Sequence, residues 1–296
     1  MILALGAAPG LGQSQLPDAV RSAQPLSASD QTMVAGFVQQ ALADLASSDA
    51  SEAQGARDRL SAPVLGPTSV SFRIYYSQQV MPRLESMLSP NVDPHQAQLI
   101  LTVAGAVSTD ASLALLINAM DDDRAAVRFG AARELGVLLG QVDRGQAITQ
   151  QDRVARMITT LRQTLVAEPD LFVASEIAKA LVTPVLTQTL VDQGLESMCL
   201  AMADRLDAQR DGATPSEQVA AILRAVKDAR DRLIARQIEG KTPKSLDDAA
   251  ARFASAARAF SVAIAGDASL DDDSATLNSR LQIAANSLRQ LATGLN

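Results

Sequence analysis

The chain has no tryptophan, one cysteine, one histidine and an aromatic content of 3%. Each shortage excludes something. Cys199 stands alone, so no disulfide forms within the chain, and cysteine usage does not identify the redox compartment. A zinc site or a Ser-His-Asp set would need His95, which follows Pro94 at an expected helix start with no further ligands identifiable beside it. Few aromatics leave the packing to Ala and Leu, which favours closely spaced helices over sheets. Positive charge is also short. The formal net charge is −7, and arginines are interspersed with carboxylates along the whole chain. A protein that neutralises phosphates needs a basic stripe, so nucleic acid is not an expected partner. No apolar run approaches the ~20 residues that cross a bilayer, so no membrane span is expected.

The opening "MILALGAAPGLGQSQ" raises a choice between a phosphate-binding loop and the remains of an export signal. Aligned on Gly12 and Ser14, the loop would have Gln13 in place of its lysine and Ala7 in place of its first glycine. Gln13 carries no charge to offset a triphosphate. The export reading fits better: an apolar stretch leads to Gly10-Leu11-Gly12, small at both positions a signal peptidase inspects. No Lys or Arg precedes Arg21, so the basic region of a signal peptide would lie upstream of Met1. Residues 1–29 are therefore expected to be a disordered N-terminal segment, a signal remnant plus a Gln/Ser-rich linker, of which folding does not need the first two dozen residues or so, through Gln24. The expected location is periplasmic or extracellular in a bacterium, with the cytoplasm as the alternative.

From Asp30 onward the pattern is helical. Ser29 or Asp30 is placed to cap a first helix carrying Val34, Phe37, Val38, Leu42 and Leu45. A second helix spans about 50–61, and a third about 70–88 with Pro82 inside it as a potential kink. Asp93 caps the next, with Pro94 at its first position. Further pairs follow around the breaks "DDD", "EPD" and "RDGATPSE". Pairs recur every 30 to 50 residues or so, the interval of stacked helical repeats, in which each pair buries its apolar face on the next. In "DDDRAAVRFGAARELG" the spacing of Asp122, Val127, Arg128, Ala131, Ala132, Leu135 and Gly136 resembles a HEAT repeat. "EPDLFVASEIAKALV" and "VDPHQAQLILTVAGAV" match more thinly and lack the arginine.

The resemblance implies an all-α fold, a right-handed α-solenoid of stacked antiparallel helix pairs. It also implies that Asp122 and Arg128 bridge neighbouring turns as a structural ladder. Residues 30–240 are read as the repeats and 241–296 as an atypical C-terminal helical hairpin. There Leu277, Leu281, Ala284, Leu288, Leu291 and Leu295 form a narrow apolar seam, suited to a terminal cap or, alternatively, to a homodimer.

No catalytic residue, cofactor or metal is assigned. Asp121-Asp122-Asp123 and Asp271-Asp272-Asp273 lack the alternation of a calcium loop and precede helices, where carboxylates favour free N–H groups. Tyr75 and Tyr76 are the first candidates for a partner surface. The expected function is a non-enzymatic scaffold for protein–protein interaction. The alternatives are an enzyme on a HEAT-like solenoid, as in some chromophore lyases with a small-molecule pocket, and a structural homo-oligomer built on the C-terminal hairpin.

Overall fold

The computed structural model describes residues 15–183, 187–208, 216–240, 242–265 and 272–294. Among them every regular element is helical: thirteen α-helices and one short 3-10 turn, with a single isolated bridge between Thr109 and Ile148. The first half holds α1 (Asp18–Ser22), α2 (Ala28–Leu45), α3 (Ala50–Ser61), α4 (Val70–Met87), α5 (Pro94–Val107), α6 (Asp110–Ala119) and α7 (Ala125–Asp143). The second holds α8 (Gln151–Ala167), α9 (Leu171–Leu181), α10 (Gln188–Ala208), α11 (Ser216–Glu239), α12 (Lys244–Ala265) and α13 (Asp272–Thr293).

Local chemistry sets these boundaries. Asp49, Asp93 and Asp170 each accept backbone N–H groups of the turn they open, and Ser69 and Thr109 do the same with hydroxyls. α2 starts earlier than its sequence suggests. Ser27 is the cap, and Asp30 closes a capping box from inside the first turn instead of capping the helix itself. α4 runs through Pro82 as one helix. Pro82 and Gln78 are both exposed, so solvent can reach the carbonyl that loses its donor.

The helices stack in two rows. One contains α3, α5, α7, α9, α11 and α13, each packed on the next; the other contains α2, α4 and α6, then α8, α10 and α12. Hairpin partners join the rows. At α6 the second row is thin, and the loop after α7 runs along the start of α6, where the Ile148 N–H donates to the Ser108 carbonyl at 2.9 Å. Side-chain hydrogen bonds between row neighbours link residues 44 apart at α2/α4, 32 apart at α5/α7, 48 apart at α10/α12 and 54 apart at α11/α13. One apolar cluster, mostly Ala, Leu and Val, runs from Leu16 to Leu288.

The N-terminal expectation needs correction between residues 15 and 29. α1 forms there, and Leu16, Val20 and Leu26 are buried. Ser69 ties the segment to α4: its N–H donates to the Arg21 carbonyl at 2.9 Å and its hydroxyl to the Ala23 carbonyl at 2.6 Å. The phosphate-loop and export readings rest on residues 1–14, which lie outside the described residues, as do Asp271, Leu295 and most of the "RDGATPSE" break. No helix among the described residues is long and apolar enough to cross a membrane.

α12 and α13 pack on each other, α12 also on α10 and α13 also on α11. The α13 seam is covered within the chain: Leu281, Ala284 and Leu288 are buried, and Leu277 and Leu291 are half-buried. Asn278 and Ser261 bond reciprocally in this interface, the Asn278 amide donating to the Ser261 carbonyl at 3.0 Å and the Ser261 hydroxyl to the Asn278 side-chain oxygen.

Candidate functional site

The residues singled out in the sequence occupy different settings. Arg128 does not pair with the Asp122 carboxylate. It reaches forward to Glu168, with Nε and Nη2 donating to the two carboxylate oxygens at 2.9 and 2.8 Å, while Nη1 donates to the carbonyls of Asp122 and Asp123 at 2.8 and 3.0 Å. Asp122 is held by Arg124 instead, through two side-chain bonds of 2.8 and 2.7 Å and the Arg124 N–H at 2.8 Å. Arg124, two residues on, folds back on Asp122; Arg128, one helical turn further, is carried to the α8–α9 turn. Glu168 raises the Arg128 pKa above the ordinary guanidinium value through these bonds, and Arg124 lowers that of Asp122 in the same way.

Other arginines missed in the sequence do related work. Helix ends leave carbonyls without internal partners. Arg73 donates to the Val64 and Val107 carbonyls at 2.7 and 3.1 Å. Arg124 donates to the Val92 carbonyl at 2.6 Å, and Arg205 to the carbonyls of Leu165 and Glu168. Burial pulls Arg73 and Arg205 below the ordinary guanidinium value. Their sequence signal was an arginine on an apolar line, Arg73 beside Phe72 and Tyr76, and Arg205 beside Met202 and Leu206.

The two tyrosines have different settings, and Tyr76 has no exposed surface to offer a partner. Tyr76 is fully buried, stacked on Phe72 at 5.5 Å, and donates to the Leu60 carbonyl at 2.6 Å. Tyr75 is half-buried, and its hydroxyl donates to the Gln31 carbonyl at 3.3 Å, bridging α4 to α2. His95 is exposed. Cys199 is fully buried, and burial with the nearby Glu196 pushes its thiol up to about 12, away from nucleophilic use. Among the described residues no group of three or more His, Cys, Asp or Glu is placed to hold a metal.

A cleft of about 510 Å³ lies between α2 and α4, on the second row. Val38 and Leu42 form its floor on the α2 side and Met87 on the α4 side; Gln39, Gln79 and Arg83 stand on its rim. Val38 and Leu42 are buried, Met87 and Gln79 half-buried, Gln39 and Arg83 exposed. The two helices run in parallel register from the Tyr75–Gln31 bridge, and the cleft opens beyond it. Among its described lining residues Arg83 is the ionisable group and Ser86 the hydroxyl, which donates to the Arg83 carbonyl at 2.8 Å.

No protein-family model matches the chain, and no curated protein sequence matches it. Among solved structures, the chain is similar to the crystal structure of an engineered protein at 16% identity, over 85% of this chain and 97% of that one, with a TM-score of 0.35. A likeness of that size bears on neither fold nor function.

Proposed function

We propose that this chain is a non-enzymatic helical-repeat scaffold, a right-handed α-solenoid of HEAT-like helix pairs that binds a protein partner. The observation that carries the reading is the α2/α4 cleft, an apolar floor with a polar rim on the row surface of a stacked array. Stacked repeats present long continuous surfaces, and binding surfaces on them are built from side chains of successive helices. The ladder role of Arg128 belongs to the same reading: it joins the α6–α7 turn to the α8–α9 turn and holds one unit against the next. A photo-crosslinking amino acid at Ala43, on the exposed edge of the cleft, tests the scaffold in extract from the native source. A discrete protein should crosslink there, and Ala35→Trp, which fills the cleft, should abolish the product. Crosslinking that Ala35→Trp leaves unchanged removes the cleft from the reading.

A further inference from the structure

Arg83 stands on the cleft with no hydrogen bond or ion pair from its guanidinium to any described residue, and its setting differs from those of Arg252 and Arg128. At the α10/α12 seam, Arg252 projects from the later helix and meets two carboxylates of the earlier one, Asp204 and Asp207. At the α6–α7/α8–α9 junction Arg128 meets Glu168. At α2/α4 the register of 44 residues set by Gln31 and Tyr75 puts Gln39 opposite Arg83. Gln39 is neutral. The other α2 residues on the cleft are Ala35, Val38, Leu42 and Ala43, none of them charged. The nearest α2 carboxylate, Asp44, is taken by Arg59 at 2.7 Å. Glu85 lies two residues from Arg83, which on a helix turns it roughly 200° away. The α2/α4 seam therefore has an apolar floor and an arginine, and, unlike the α10/α12 seam, no carboxylate facing that arginine.

We propose that the α2/α4 cleft takes an acidic amphipathic helix of a partner protein, whose Asp or Glu pairs with Arg83 while small apolar residues cover Val38, Leu42 and Met87. This rests on the scaffold reading above. The lined length from Ala35 to Ala43 is about 12 Å at the helical rise, room for roughly two turns. Anchors on the guest helix fall at three- and four-residue spacing, with the carboxylate on the same face. Arg83 acts as the specificity determinant: a guanidinium at the rim of an apolar groove binds a carboxylate in a planar fork and repels a cation.

The test uses two fluorescent helix-stapled peptides of ~14 residues, long enough to need the staple. They share an Ala/Leu face and differ only by Glu or Lys at one position on it. Anisotropy titrations against the full chain at low salt should show the Glu peptide binding about tenfold tighter than the Lys peptide. Arg83→Gln should erase the preference and Arg83→Glu should reverse it, with unchanged helical circular dichroism because Arg83 is exposed. Equal binding of the two peptides, no binding of either, or a preference that survives Arg83→Glu each overturns the proposal. So does a wild-type dimer in sedimentation velocity that Arg83→Glu dissociates, because the occupant is then a second copy. Peptide failure with continued crosslinking at Ala43 sinks this inference alone, whereas absence of any crosslink sinks the scaffold reading.

Discussion

Glu168 is a tightly held charge: its side chain is 1% exposed, it accepts two of the bonds Arg128 donates, and one of its oxygens also accepts the Asp170 N–H at 2.8 Å. Truncating one partner of such a pair leaves an uncompensated buried charge. Arg128→Ala should cost roughly 3 kcal/mol in urea unfolding, by that principle. Arg128→Lys should recover part, since an ammonium lacks the planar fork. Arg128→Ala combined with Glu168→Gln should cost less than the sum, by about 1–3 kcal/mol; additive effects would mean the pair contributes nothing. Asp122→Asn is the contrasting case. Its pair with Arg124 is partly solvated, 19% and 23% exposed, so the loss should stay near ~1 kcal/mol. The sequence singles out Arg128 but pairs it with Asp122; its carboxylate partner, Glu168, lies 40 residues away, and only the packing of helices brings the two together. Tyr76 was misjudged for the same reason, because the Leu60 carbonyl that satisfies its hydroxyl is 16 residues upstream. Cys199 gives a second residue-scale prediction. Its folded thiol is raised to about 12, so the protonated form favours the folded state. Its contribution is complete below the unfolded value of about 8.5 and declines as pH rises from there. Iodoacetamide at pH 8 should not label the native protein, and the loss of stability between pH 8.5 and 10.5 should be smaller in Cys199→Ala than in wild type. Rapid native labelling would place the thiol at the surface.

Two helical glycine classes separate propensity from packing at the scale of an element. Gly36 in α2 and Gly55 in α3 have open space where a Cβ would go, so Gly36→Ala and Gly55→Ala should each stabilise by about 0.5–1 kcal/mol. Gly194 is where α10 passes the end of α9, and a Cβ there would collide with the Leu181 carbonyl oxygen, which is backbone and cannot swing aside. Gly194→Ala should therefore destabilise, by roughly 1–3 kcal/mol of overpacking, despite the better helix former. Thermal melts of the three variants decide this by the sign of each shift. Most element boundaries were legible because Asp, Ser and Pro punctuate them. α1 was not, because five residues are too few to display a helical period. Its apolar side chains read as linker until Ser69 and the core fix them. Deletion through Gln24 removes buried Leu16 and Val20, so it should cost roughly 3 kcal/mol or more at ~1.5–3 kcal/mol per buried side chain. An unchanged melting temperature would return this segment to the linker class. The α2/α4 cleft had no sequence signal at all, since its existence depends on the distance between two helices whose own patterns are unremarkable.

Across the whole molecule the two ends of the array are built differently. At the C-terminal end α12 packs on α10 and α13, and α13 packs on α11, so the last hairpin is held from two sides. At the N-terminal end α2 meets α4 across an open cleft and leans on α3, with α1 as a short strap over α4. On the helical-repeat reading proposed above, stability is nearly a sum of unit and nearest-neighbour interface terms, so the end with the weaker interface opens first. Native-state hydrogen exchange should then rank the units. Amides in α2 and α3 should exchange through a sub-global opening well below the free energy of full unfolding, while α10, α11 and α12 should approach the global value. The same asymmetry bears on the cleft. A guest helix that covers Val38, Leu42 and Met87 supplies the interface α2 lacks, so its binding should raise protection in α2 and α3 selectively and leave α12 and α13 unchanged. Uniform protection along the chain, or faster exchange in α12 and α13 than in α2, would show that the terminal hairpin is the weaker end and that the open cleft does not set the order of opening.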